Sequence, residues 1–368
     1  MTTPFLEEHI CDKITISYDE YKNEDRLKSI LDEYGFAIVT DILTNEEQHE
    51  AELLMRDDLL NSIDYDNILD NKLYDVIKKI KLNKNNLEWP RSSIPGIIQK
   101  GFMSLKGIPQ GQFAWKLRLN EKCKKIYQHL HNEEHVTVSF DLPFFSPYGA
   151  PIKSPELWPH ADQNLRYEQG CKNSYQGILY VWDSTGENTS NTTVWSKTWN
   201  KEYHTLLNNI PTSDNHGVNI SAITDEKIKK EMMDGWKLHS RRVPVIPGSL
   251  LIFNSRTIHQ GYSHGTRLAQ TLAWEPKMCR SNKSKFQKID AIYKGYGTTH
   301  WASLGIHHGA STMSCRKNKN GVYSNDFHLC IIPMKNIKPI PLIDDIDEHT
   351  KLIKDYKTLI KNEYLDCI

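Results

Sequence analysis

The chain has 368 residues, and its 46 Lys+Arg balance 46 Asp+Glu to a formal net charge of zero. That balance provides no global basic field to draw in nucleic acid or an anionic membrane surface. A hydrophobic fraction of 38% with 9 Trp and 17 Tyr sets the chain apart from disordered sequences, which lack the apolar area to offset chain entropy.

The length allows one large domain with additions, or two domains. The seven cysteines (Cys11, Cys123, Cys171, Cys279, Cys315, Cys330 and Cys367) are odd in number and scattered, with no C-x-x-C pair. They fit free thiols in a reducing compartment. The N-terminus has no charged region followed by an apolar core, and no apolar run approaches a membrane span. A cytoplasmic location is expected.

Residues 1–23 read as a polar, irregular segment. Glu24–Tyr34 predicts a helix with Leu27, Ile30 and Leu31 on one face, stopped by Gly35. Phe36–Thr40 follows as a strand. Thr44 and Glu47 form a capping box that opens a helix to about Leu60. Helices are also expected at Asp70–Lys81, Phe113–Asn120 and Lys122–Leu130, with a loop at Trp89–Gly96.

From Val136 the texture turns to short strands between Gly/Pro turns. These are Val136–Asp141, Gln176–Trp182, Val194–Trp195, Val243–Ile246, Ser249–Asn254 and Arg267–Glu275. Gly186–Thr193 reads as a turn cluster. Lys201–Asn208 and Asp225–Met233 read as helical. Beyond Pro276 the chain reads as a basic, irregular extension ending in an amphipathic helix at Asp347–Asn362. Lys283–Lys288 reads as a solvated loop. The pattern implies an α+β chain with a mainly β core, closed as a barrel or sandwich and flanked by helices.

Two stretches carry the chemistry. Trp158–Gln163 contains His160 and Asp162, which a strand would point to one side because side chains two apart share a face. Pro247–Gly261 returns the chain and delivers His259. Two histidines and one carboxylate make the facial triad of a non-haem Fe(II) oxygenase, leaving three metal positions open. On the next strand Arg267, Ala269, Thr271 and Ala273 share a face. A buried guanidinium there needs a partner. That partner is either an internal Asp or Glu or a bidentate ligand carboxylate. Thr271, Ser139 and Tyr180 are candidate hydroxyl donors beside a 2-oxoglutarate carboxylate.

The remaining histidines read as surface or satisfied residues: His239, His300, His307, His308 and His328. His264 is the alternative to His259. Cys315, Cys330 and His328 complete no zinc spacing. Trp158, Trp182 and Trp274 read as packing. There is no G-x-S-x-G and no P-loop.

With these residues in view, the chain resembles the phytanoyl-CoA dioxygenase-like branch of the Fe(II)/2-oxoglutarate-dependent oxygenases. The matching residues are His160-x-Asp162-Gln163, Gly186-Glu187-Asn188 with Asn191, Pro247-Gly248-Ser249-Leu250, Ser255–Gly261 and Arg267. The opening Gly35–Val39 and Leu43-Thr44-x-Glu46-Glu47 also match. The resemblance spans about residues 24–276, leaving 1–23 and a 277–368 extension outside it. It implies a double-stranded β-helix (jelly roll), with Fe(II) on His160, Asp162 and His259 and 2-oxoglutarate anchored by Arg267. O2 and a small-molecule substrate complete the set, with succinate and CO2 as products. The small metabolite or lipid-derived acid to be hydroxylated is unnamed by the motifs, as is the oligomeric state. Asp162 argues against a halogenase, which replaces the carboxylate. The competing readings are a catalytically inactive jelly-roll protein that binds a glycan or partner chain, and a zinc-dependent cupin-like isomerase.

Overall fold

The computed structural model describes residues 3–61, 108–146, 157–163, 170–198, 217–262, 265–294 and 297–305. The expected elements at 70–81, 89–96, 201–208 and 347–362 lie outside these, as do His264, His307, His308, His328 and the three C-terminal cysteines.

The N-terminal stretch expected to be irregular is instead a helix, α1 (Glu8–Ile14), and an edge strand, β1 (Thr15–Ser17). Strand β1 runs parallel to β2 (Phe36–Thr40), and both Ile14 and Ile16 are buried. Elements this short carry almost no periodicity, so burial rather than local pattern holds them. Helix α2 (Arg26–Tyr34) buries Leu27, Ile30, Leu31 and Tyr34. It ends where Gly35 takes φ 85° and donates its N–H to the Leu31 carbonyl; that left-handed conformation is costly for residues with a Cβ. The Thr44–Glu47 box is present, with reciprocal bonds of 2.9 and 3.2 Å opening α3 (Asn45–Asn61).

Helices α4 (Gln112–Arg118) and α5 (Glu121–His131) follow, separated by Asn120, whose side chain caps α5 by accepting from the Cys123 N–H. The core strands are β3 (Val136–Val138), β4 (Pro143–Ser146), β5 (His160–Ala161), β6 (Tyr175–Tyr180) and β7 (Asn191–Trp195). After β8 (Val218–Asn219) comes helix α6 (Glu226–His239), longer than expected, and then β9 (Arg241–Val243). Strands β10 (Leu250–Asn254), β11 (Ile258–Tyr262), β12 (Arg267–Leu272) and β13 (Trp274–Pro276) close the series.

The strands form a six-stranded sheet, β1-β2-β10-β6-β12-β4, and a five-stranded sheet, β8-β5-β11-β7-β9. Apart from the β1–β2 edge, the pairings within them are antiparallel. The single strand expected at Arg267–Glu275 breaks at Ala273, because β12 pairs with β4 and β6 while β13 leaves to pair with β3. Side chains of the two large sheets meet between them: Tyr180 on β6 touches Thr192 on β7, and Phe253 on β10 lies against His259 on β11.

Period two explains which side chains face that space. On the five-stranded sheet, Ala161 and Ile258 are buried under Met232 and Trp236 of α6. Their neighbours His160 and His259 therefore project to the opposite face.

The part of the C-terminal extension that is described is ordered packing rather than irregular chain. Helix α7 (Asn282–Lys294) contains the basic run expected to be a solvated loop. Lys288 is buried there because its ammonium finds three acceptors: Val138 O at 2.6 Å, Ala302 O at 2.9 Å and Thr137 Oγ1 at 3.0 Å. A buried cation is tolerable when its donors are all used. Among the described residues, no helix is long and apolar enough to cross a membrane.

Candidate metal centre

His160 and His259 are direct cross-strand partners in the β5–β11 ladder. Their ring centroids lie 4.4 Å apart. Asp162 follows β5 and completes the group. Its Oδ1 is 3.3 Å from His160 Nε2 and its Oδ2 is 3.1 Å from His259 Nε2. One ligand atom from each of the three lies within 4.8 Å of the others.

The orientation of both imidazoles is set from behind. His160 Nδ1 is 3.1 Å from the Trp158 carbonyl, and His259 Nδ1 is 2.9 Å from the Thr257 carbonyl. A carbonyl can only accept, so each Nδ1 carries the proton and each Nε2 presents a lone pair. Asp162 Oδ2 is buried with no hydrogen bond. A carboxylate oxygen left in that state is costly unless something else engages it. Two aimed imidazole nitrogens and an unsatisfied carboxylate oxygen fit a divalent transition metal.

The surrounding motif residues hold this geometry. Gln163 donates to the Cys171 and Lys172 carbonyls at 2.8 Å each, and its own N–H donates to Ser255 O at 2.9 Å. Gln260 Oε1 accepts the Trp158 N–H at 2.9 Å. Trp158, expected only to pack, stacks on the His160 ring at 4.5 Å with 16° between the planes.

A fourth titratable group stands beside the centre. His300 was expected to be a surface or satisfied histidine, yet its Nε2 is 3.6 Å from Asp162 Oδ1. It arrives 138 positions after Asp162 (300 − 162), from a segment with no strand alternation and no ligand spacing, so nothing in the sequence marks it. Burial opposes the Asp162 charge, but His300, His259 and His160, when protonated, outweigh it and hold that carboxyl well below its usual range; with the imidazoles neutral that pull is absent. Burial pulls His300 down, against the pull of Asp162.

Arg267 on β12 is 3% exposed and reaches across to the other sheet. Its Nη2 donates to Tyr180 Oη at 2.8 Å and to Thr192 Oγ1 at 3.2 Å, and its Nη1 donates to the Asn191 carbonyl at 3.4 Å. Its guanidinium carbon lies 3.7 Å from the centre of the Phe144 ring. Its Nε is buried with no acceptor, and among the described residues it forms no ion pair with a carboxylate. Burial accordingly lowers its pKa. The internal Asp or Glu considered as its partner is thus not found among the described residues.

Tyr180 sits at Arg267. The other two hydroxyls are engaged elsewhere: Thr271 donates to the Leu142 carbonyl, and Ser139 Oγ accepts the Ala273 N–H at 3.0 Å. Thr192 and the Asn191 carbonyl, read as part of a turn cluster, are the additional contacts of Arg267. They belong to β7, whose start the Asn/Thr/Ser composition concealed.

No family model and no curated protein sequence matches the chain. Solved structures similar to it include the epimerase SnoN in complex with Fe3+, alpha ketoglutarate and nogalamycin RO. That match has 12% identity over 69% of this chain and 83% of that one, with a TM-score of 0.41. EctD from S. alaskensis with bound Fe is similar at 14% identity, 76% and 85% coverage and a TM-score of 0.43. HygX from Streptomyces hygroscopicus with nickel and 2-oxoglutarate bound is similar at 12% identity, 68% and 85% coverage and a TM-score of 0.40. Likenesses of this degree do not decide what the chain binds; its own donor set bears on that directly.

Proposed function

We propose that this protein is an Fe(II)- and 2-oxoglutarate-dependent dioxygenase that hydroxylates a small-molecule substrate, a small metabolite or lipid-derived acid. The observation that carries the reading is the His160–Asp162–His259 group, with both Nε2 atoms within 3.3 Å of the Asp162 carboxylate. Arg267, in the same inter-sheet space and with no carboxylate partner among the described residues, supports it. We read residues 24–276 as the oxygenase domain and its two facing sheets as a jelly roll, with 277–368 as an extension.

In this reading His160, Asp162 and His259 hold the metal. Fe(II) together with 2-oxoglutarate and O2 supplies the oxidising chemistry that side chains lack. The backbone carbonyls behind both histidines fix their tautomers. Arg267 receives the distal carboxylate of 2-oxoglutarate, with Tyr180 beside it and Thr192 completing the polar wall. Ser139 and Thr271 act indirectly: Ser139 ties β13 to the core, and Thr271 holds the β4 approach through Leu142. The low-dielectric space between the sheets strengthens each of these contacts. No side-chain nucleophile is required.

The test is anaerobic titration with Fe(II) and then 2-oxoglutarate, following the visible band of the chelate in wild type and His259→Ala. A band in wild type that is lost in the variant supports the site, and iron-dependent succinate formation supports turnover. Wild type that binds neither iron nor 2-oxoglutarate overturns the reading. Chelate formation without succinate for any substrate leaves the inactive binding protein.

A further inference from the structure

His300 is held in place by contacts on both sides. Before it, Thr298 N–H donates to the Phe140 carbonyl at 2.9 Å, and Phe140 N–H donates to Thr298 Oγ1 at 3.1 Å. After it, the Ala302 carbonyl accepts from Lys288 and the Ser303 N–H donates to Glu275 Oε2 at 2.7 Å. Lys288 and Glu275 are themselves buried, 2% and 1% exposed. The segment ends are tight as well. A Cβ on Gly297 would lie 2.5 Å from Leu142 Cδ2, and one on Gly305 would lie 2.5 Å from the Ser284 carbonyl. The 297–305 segment is thus keyed onto Phe140 just after β3, onto β13 and onto α7, and His300 is the side chain it brings to the metal centre.

His300 is not arranged as a fourth ligand. The group of ligand atoms lying within 4.8 Å of one another contains His160, Asp162 and His259 and leaves it out. What it reaches is the carboxylate. Its Nε2 is buried without a hydrogen-bond partner and faces Asp162 Oδ1 at 3.6 Å, roughly 0.6 Å longer than an N–H···O bond. A carboxylate that gives one oxygen to a metal has the other to spare. Outer hydrogen bonds to ligands of this kind orient them, and removing one typically weakens metal binding by roughly 10- to 100-fold.

We propose that His300 is a positioning residue of the metal centre: its Nε2–H donates to the Asp162 oxygen that the metal leaves free, so that the C-terminal segment 297–305 completes the site. This rests on the metal-site reading above. It makes metal affinity depend on a segment outside the two sheets and outside the sequence pattern that locates the ligands.

The test is calorimetric titration of the purified full chain with Ni(II), and with Co(II) followed by its visible spectrum, without co-substrate. The variants are His300→Phe, which keeps a ring and removes the donor, His300→Ala, and His300→Gln, whose amide can donate from a similar reach. Thermal unfolding of the metal-free proteins accompanies each. The expected result is metal affinity lowered roughly 10- to 100-fold in the Phe and Ala variants and largely restored in Gln, with the metal-free melting temperatures alike. Either the Phe or the Ala variant binding within twofold of wild type overturns the positioning role. Equal loss in Phe and Gln, with a Co(II) spectrum that has lost a nitrogen ligand, also overturns it by making His300 a ligand. Wild type that binds no divalent metal overturns the centre itself, whereas wild-type binding with silent variants removes His300 alone.

Discussion

Replacing Arg267 with Met separates what the guanidinium does for the fold from what it does for a ligand. The removed group is buried, carries an unsatisfied Nε, and among the described residues touches hydroxyls, a carbonyl and the Phe144 ring rather than a carboxylate. Desolvating such a cation costs several kcal/mol, which its hydrogen bonds to neutral acceptors offset at about 1.5–3 kcal/mol each. Tyr180 Oη and Thr192 Oγ1 lie 3.2 Å apart and keep each other as partners. The unliganded stability of Arg267→Met is therefore expected within roughly 1–2 kcal/mol of wild type, since apolar replacement of buried charge is often near neutral. The liganded protein behaves differently. At 2-oxoglutarate equal to about 100 Kd, wild type gains about 2.7 kcal/mol. Losing a buried charged contact to the ligand costs roughly 2–5 kcal/mol, or at least about 30-fold in Kd. At the same concentration the variant then gains less than about 0.9 kcal/mol. Urea unfolding of Zn(II)-loaded protein with and without 2-oxoglutarate measures both quantities. A variant that keeps the full ligand-induced shift refutes the anchor. A variant that loses more than about 3 kcal/mol without ligand refutes the offset between desolvation and hydrogen bonding.

Three further outcomes follow. Burial pulls His131 down to about 4, against its bond to the Trp274 carbonyl. The unfolded chain, with a His pKa near 6.5, binds a proton first, so stability is full above that pH and is lost as pH falls toward 4. At pH 5 the loss is about 2 kcal/mol, and denaturant titrations of His131→Gln should show a correspondingly flatter profile; an unchanged slope would count against burial as the cause. A Cβ on Gly217 would lie 2.4 Å from the Ala161 carbonyl, so Gly217→Ala should push β8 away from β5. It should cost roughly 1–3 kcal/mol and weaken Ni(II) binding in calorimetry, and unaltered affinity would show that β5 does not depend on β8. Lys288→Met strands the carbonyls of Val138 and Ala302, and should lower unfolding free energy by roughly 1–3 kcal/mol in urea titration together with metal affinity. Loss of stability with affinity intact would uncouple α7 from the metal centre.

The candidate ligands are legible in the sequence because two short rules overlap at them. Strand alternation puts His160 and Asp162 on one side, and the Pro247-Gly248 turn brings a buried strand and then His259 back to them. Arg267 follows from the same alternation, whereas Tyr180 is one of three candidate hydroxyls, of which Thr271 and Ser139 are engaged elsewhere. His300 does not follow from it, because its position is set by tertiary keys, Lys288 to Ala302 and Glu275 to Ser303, that join residues with no common period. Lys288 itself misled for the same reason: a lysine run looks solvated until its acceptors on β3 are known. The helix and strand at Glu8–Ser17 were hidden by their length, and the break at Ala273 by the apolar run Leu272-Ala273-Trp274, which spans two different pairings.

Strand β5 has two residues, and its ladder to β11 consists of the single pair His160–His259. Two of the candidate ligands are thus also part of the junction between segments 99 positions apart in the chain (259 − 160), beside the Gln163–Ser255 and Trp158–Gln260 bonds. An ion held there would act as a removable cross-link closing a long loop, and the restraint grows with the length of chain it encloses. It would also penalise any slip of register, since moving β11 by one residue turns His259 out under α6 and puts Ile258 or Gln260 in its place. Backbone amide exchange in β5 and β8 should therefore slow sharply on metal loading while the six-stranded sheet changes little, so that the ion finishes the folding of the sheet it binds.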